Sequence, residues 1–162
     1  MVDSLATVAT SVSSNLAMYL AWIGIFAMVG LSGVGSAIGT VIDGQASMAA
    51  MKKRDDIFAN CMILSALPGT QGLYGFGAFF LLKTKIVEGM SVMSGAAILG
   101  AGLIVGLVCL LSAVNQGKIV ASGIESLGAG NDVFSKTLVL AVYPELYAII
   151  SFAAAFLIYS GI

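Results

Sequence analysis

The sequence predicts an all-α membrane protein, with four transmembrane helices arranged as two tandem helical hairpins. Three observations carry this prediction. The 162 residues are 59% hydrophobic and only 9% charged, with a mean hydropathy of +1.05, whereas soluble domains carry about a quarter charged residues. Four stretches are long enough to cross a bilayer, and three of them hold no charge. The second half of the chain repeats the first.

Taken in order, the uncharged or nearly uncharged stretches are residues 16–42, 57–82, 89–117 and 137–162. Each exceeds the ~20 residues that a spanning helix needs. Backbone groups in lipid must be satisfied internally, so runs of this length are helices. The predicted helices cover about 16–50, 57–83, 89–124 and 134–161, pairing into hairpins 1–86 and 87–162. The N-terminal Met1-Val2-Asp3 has no basic region, and the apolar run after it is too long for a signal peptide, so the first helix is expected in the mature protein.

Charges concentrate in the connections. Lys52, Lys53, Arg54, Asp55 and Asp56 join the first two helices, and Lys83, Lys85 and Glu88 join the second and third. Lys118 lies near the end of the third helix, and Glu125, Asp132 and Lys136 flank the last loop. The basic excess on the side of the 1–2 and 3–4 loops predicts that these loops are cytoplasmic and both termini outside. The net charge of −1 and the absence of His give no footing for nucleic-acid binding. They also remove the commonest metal ligand and neutral-pH proton shuttle. Cys61 and Cys109 stand alone in apolar runs and read as small buried hydrophobes.

The repeat pairs Asp56-Ile57-Phe58 with Asp132-Val133-Phe134, Pro68 with Pro144, and Phe76 with Phe152. Asp43-Gly44 aligns with Gln116-Gly117 once the second loop is allowed three extra residues. Opposite Glu145 stands Gly69, so one hairpin alone keeps a carboxylate. Gly30, Ser32, Gly33, Gly35, Ser36 and Gly39 crowd the first helix, and Gly95, Gly100, Gly102 and Gly106 the third. Small residues let helix backbones approach closely in lipid, so helices 1 and 3 are expected to form a tight layer against the bulkier helices 2 and 4.

Glu145 is the chemical centre. A charge at that depth costs roughly 2.5–3.5 kcal/mol on insertion scales, too much for a packing residue. Pro68 and Pro144 each remove a helical hydrogen bond and free the carbonyl four residues earlier, Leu64 or Leu140. Gln116 and Glu145 stand 14 and 15 residues on either side of a turn near Gly130, which at ~1.5 Å per residue sets them at one height. Thr70 and Gln71 reach the same level from a turn near Asp55, with Tyr74 one turn on and Asn115 beside Gln116. Oxygen ligands with a single negative charge suit a hard monovalent cation, since a divalent ion asks for more carboxylates. Tyr74 is placed to donate to the carboxylate. Asp43 reads as structural: it either snorkels or faces a central pore.

Together these motifs resemble the rotor-ring proteolipid (c/K) of V-type ATPases, and most nearly the bacterial sodium-translocating type. Leu67-Pro68-Gly69-Thr70-Gln71-Gly72-Leu73-Tyr74 is similar to the family's helix-2 motif, and Asn115-Gln116-Gly117-Lys118 to its helix-3 motif. Glu145-Leu146-Tyr147-Ala148-Ile149 resembles the helix-4 ion carboxylate segment. The resemblance implies Na⁺ ligands at the Leu67 carbonyl and the side chains of Thr70, Gln71, Gln116 and Glu145, with Tyr74 as hydrogen-bond partner. It also implies a non-catalytic member of a homomeric ring in the plasma membrane of a bacterium, facing a stator protein (a/I) that bears an arginine. A central-stalk protein (d/C) would dock on the cytoplasmic loops. Losing one carboxylate in two would reduce the ions carried per turn. Two other readings are kept: a proton-driven ring of the same type, binding H⁺ alone, and a standalone tetraspan carrier or structural membrane protein.

Overall fold

The computed structural model describes residues 2–162, with side chains from Thr10 onward, so the side-chain reading of Met1 to Ala6 lies outside the described residues. The chain is all helical. Helix α1 spans Val2–Met51, α2 Phe58–Ser65, α3 Thr70–Leu82, α4 Val92–Gly128 and α5 Phe134–Gly161. Three of these, α1 from Thr10, α4 and α5, are each long and apolar enough to cross a membrane. The remaining span is shared by α2 and α3, which the 3-10 turn Leu67–Gly69 joins.

The two prolines act differently. Pro68 lies in that 3-10 turn, whereas Pro144 sits inside an unbroken α5. A proline in either place removes one amide from the ladder. At Pro68 the tightening continues, because Gly69 follows and its N–H bonds back to the Ala66 carbonyl at 3.1 Å. The expected single second helix is therefore two helices with a turn at mid-span.

Helices α1 and α4 run parallel and nearly touch. A Cβ on Gly35 would lie 2.5 Å from the Leu110 Cα, one on Gly39 2.6 Å from the Ala113 carbonyl oxygen, and one on Gly117 2.8 Å from the Gly39 carbonyl oxygen. Gly102 would collide with the Gly24 backbone. Glycine is required at these positions because a Cβ there would meet the facing backbone, and small residues are what let helix backbones approach this closely. Gly30, Gly33 and Gly100, which share the small-residue pattern, meet nothing within 4 Å, so the tight layer uses part of the glycine set.

The outer pieces pack across this seam in antiparallel fashion. The Gly72 amide donates to Ser36 Oγ at 2.7 Å, and the Ser47 and Ser65 hydroxyls lie 2.7 Å apart, which ties α3 and α2 to α1. Cys109, Val105 and Ile98 of α4 share one buried cluster with Ala148 and Ala155 of α5. Both cysteines are free and buried. Beyond α3, the Lys85 ammonium donates to the Ile162 carbonyl at 2.6 Å and lies 4.6 Å above the Tyr159 ring, which holds the far end of α5.

Helix α4 runs on to Gly128, so Glu125, expected to flank the last loop, lies within the helix, as Lys118 does. Gly130 follows with φ 95°, a left-handed conformation that glycine enters without steric cost. In the 1–2 connection the Arg54 guanidinium pairs with Asp56 and reaches the Leu127 carbonyl at 3.5 Å. Its hydrogen bond holds the exposed Asp56 carboxyl below the ordinary carboxylate range.

Asp43 overturns its expected placement. It is 0% exposed and neither snorkels nor faces a pore. Its position on α1 turns it inward, on the side shared with Gly39 and Ser47.

Candidate cation site

Five side chains and one backbone oxygen converge between α3, α4 and α5. The hydroxyl of Thr70 donates to Glu145 Oε1 at 2.7 Å, and the Tyr74 phenol donates to the same oxygen at 2.5 Å. On the other carboxylate oxygen, Gln116 Nε2 donates at 2.7 Å and Gln71 Nε2 at 3.3 Å. Thr70 also approaches the Leu67 carbonyl at 2.9 Å and Gln71 Oε1 at 3.3 Å. The height matching read from the sequence thus has its physical counterpart: Thr70, Gln71, Tyr74, Gln116 and Glu145 meet at one level.

Local structure explains the Leu67 oxygen. In the 3-10 turn the Thr70 amide bonds to Leu67, and the Thr70 hydroxyl adds a second contact to the same carbonyl. The turn brings that carbonyl to the cage, at the rim of a cavity of about 300 Å³ that Thr70, Gln116, Val142 and Glu145 also line. Glu145 is half-buried, whereas Gln71 and Gln116 are 0% and 1% exposed. The polar amides therefore form the buried inner wall, and the carboxylate lies at the more exposed edge.

Ser112 is a member of the site that the sequence reading did not include. It accepts from Gln71 Nε2 at 3.1 Å and donates to the Pro144 carbonyl at 2.7 Å. It links the amide of α3 to the backbone of α5 from its seat on α4. Gln71 Nε2 also donates to Gln116 Oε1 at 2.9 Å, and Gln116 Nε2 to the Ala141 carbonyl at 2.8 Å. Every polar group in this buried network has a partner, the condition under which such a network rigidifies rather than destabilises.

Two expected members lie elsewhere. Asn115 is exposed and lines a separate groove of about 580 Å³ with Tyr143, Pro144 and Tyr147. One residue along an α-helix turns the side chain by about a quarter of the circumference, which separates it from Gln116. Leu140, the carbonyl that Pro144 frees, borders this second groove too. Gly69, opposite Glu145 in the repeat, would direct a Cβ into open space and adds no group to the cage.

Such an arrangement holds one negative charge among oxygen atoms of an amide, a hydroxyl and a carbonyl. It suits a weakly demanding monovalent cation better than an ion that needs several carboxylates. Among the described residues no group of three or more His, Cys, Asp or Glu could hold a metal.

The model of a family described as the C subunit of ATP synthase matches twice, over residues 23–82 and 99–158. The two matches are 76 residues apart (99 − 23), the spacing of Pro68 and Pro144. The chain is 39% identical over 127 residues to the K subunit of the V-type sodium ATPase of Enterococcus hirae, covering 78% of this chain and 81% of that protein. It is 35% identical over 134 residues to the K subunit of the A-type ATP synthase of Methanocaldococcus jannaschii, covering 83% of this chain and 59% of that protein. Identity to the 16 kDa proteolipid of the V-type proton ATPase of Ovis aries is 23% over 142 residues, or 88% and 92% of the two chains.

Proposed function

Because the chain belongs to the ATP synthase C-subunit family, as a V-type c/K proteolipid of the sodium type, we propose that Glu145 carries Na⁺ across the membrane within a cage built by Leu67, Thr70, Gln71 and Gln116. The chain is a non-catalytic rotor-ring subunit of an ATP-driven complex, and the two hairpins 1–86 and 87–162 are its units. The observation that supports Na⁺ over H⁺ is the convergence of Thr70 and Gln71 oxygens with the Leu67 carbonyl on one side of the carboxylate. A proton carrier needs a single acceptor, with Thr70 and Gln71 merely hydrogen-bonding it, whereas a cation draws on these extra oxygens.

In the closed state Tyr74, Thr70, Gln71 and Gln116 fix both carboxylate oxygens. Na⁺ is cargo: it enters beside Glu145 Oε1, where the Thr70 and Gln71 oxygens and the Leu67 carbonyl already cluster. Gln116 presents nitrogen to Glu145, so it orients the carboxylate, and its own oxygen reaches the ion once the amide turns over. Release follows when a cationic group competes for Glu145 and draws it from Tyr74. That group is an arginine of a stator protein, while a central-stalk protein docks on loops taken to be cytoplasmic.

The test is carbodiimide labelling of Glu145 in the purified complex at fixed pH. Added Na⁺ should protect it. Labelling that responds to pH alone would make the ring proton-driven. A detergent-extracted mass of one or two chains would instead favour the standalone tetraspan protein.

A further inference from the structure

We propose that Asp43 is a proton-binding site: its carboxyl keeps a proton in the closed core of each chain, apart from the cation cage at Glu145. Asp43 is 0% exposed in the isolated chain, so ring neighbours, lipid and bulk water cannot reach it. Both of its carboxyl oxygens lack a hydrogen-bond partner among the described residues. Every buried polar side chain of the cation cage, by contrast, is satisfied.

The surroundings follow from contacts on either side of it. Towards α4, Asp43 lies between Gly39, seated on Ala113 and Gly117, and Ala50, seated on Gly128. The buried α4 residues between Gly117 and Gly128 are Val120, Ala121, Ile124 and Leu127, all apolar. Towards α2 it lies between Gly39, which meets Pro68, and Ser47, which bonds to Ser65. Cys61 is the titratable side chain buried on that element. Lys118 and Glu125 are exposed on another face of α4. Among the described residues Asp43 has no ion-pair partner, and the two serine hydroxyls are engaged with each other.

A buried carboxylate without a counter-charge or donor becomes neutral by taking up a proton. A metal ion would need several oxygen ligands, which this interval does not offer. The proton comes from water as the chain folds. It stays when Na⁺ loads and leaves, and each chain then carries one mobile charge although its core holds two carboxyl groups.

The experiment uses the assembled complex in membranes, with aspartate labelled by heavy carbon at its side-chain carboxyl, and infrared spectroscopy at neutral pH with and without saturating Na⁺. A protonated-carboxyl carbonyl band should be present and displaced by the label. It should also be indifferent to Na⁺, absent from Asp43→Asn and retained in Glu145→Gln. Because an acid and an amide are both neutral, Na⁺ affinity should be unchanged in Asp43→Asn. A label-sensitive signal from ionised carboxylate alone, loss of the band on adding Na⁺, or weakened Na⁺ binding in Asp43→Asn would overturn the proposal. If Asp43→Asn does not assemble, the labelled wild-type ring still decides.

Discussion

Ser112 links the two elements that close the cage, accepting from Gln71 and donating to the Pro144 carbonyl. Ser112→Ala should leave the ring assembled and weaken Na⁺ binding about tenfold, from hydrogen bonds worth about 1.5 kcal/mol in all. Equilibrium ²²Na⁺ binding reads the loss, and Ser112→Thr should recover most of it. Tyr74→Phe removes a hydrogen bond to Oε1 of the carboxylate proposed to carry Na⁺, and bonds to charged groups are worth about 1.5–3 kcal/mol, so affinity should fall by about 10–150-fold while ring mass is unchanged. Glu145→Gln should abolish ATP-driven ²²Na⁺ uptake in vesicles. Thr70, Gln71, Tyr74, Gln116 and Glu145 were legible in the sequence because helical rise alone sets their height. Ser112 was not, since a serine in an apolar helix most often bonds back to its own turn, as Ser32 does here to the Met28 carbonyl. Asn115 misled for the complementary reason: height matched but rotation did not.

Among the elements, the two prolines look equivalent in the repeat yet only Pro68 interrupts its helix. Pro68→Ala should let the helix run through residues 67–69 and draw the Leu67 carbonyl back into the ladder. Na⁺ affinity should then fall with little change in assembly, as ²²Na⁺ binding and detergent-extracted mass would report. The α1–α4 seam gives a second expectation. Gly102→Ala drives a methyl into the Gly24 backbone, an overpacking worth about 1–3 kcal/mol, and should lower the temperature at which the ring dissociates. Gly69→Ala meets open space and should be silent. Hydropathy located the spans because lipid demands apolar length. It could not say which glycines face α4, because composition records how many small residues a helix has and not their rotation about the axis.

At the scale of the molecule, four helical passes carry one carboxylate cage. Native mass spectrometry of the ring under saturating Na⁺ should count one bound Na⁺ per chain, and a second ion per chain would contradict the assignment of Gly69 as a vacated position. Tandem duplication was visible in the repeat because Pro68, Pro144 and the flanking phenylalanines kept their spacing. The inward turn of Asp43 was not, since a carboxylate eight residues before a helix end can equally reach an interface.

The glycine seam between α1 and α4 also has a mechanical meaning. Where backbone rests on backbone, no long side chain lies between the two helices to bend or change rotamer under load. Shear along that seam meets the hard repulsive wall of close-packed atoms, and each chain behaves as a stiff stave. Elastic yield in a turning assembly then falls on contacts other than this seam; Gly30, Gly33 and Gly100 meet nothing within 4 Å inside the chain. Substitutions at those three positions should leave the stave intact, while substitutions along the seam should break it.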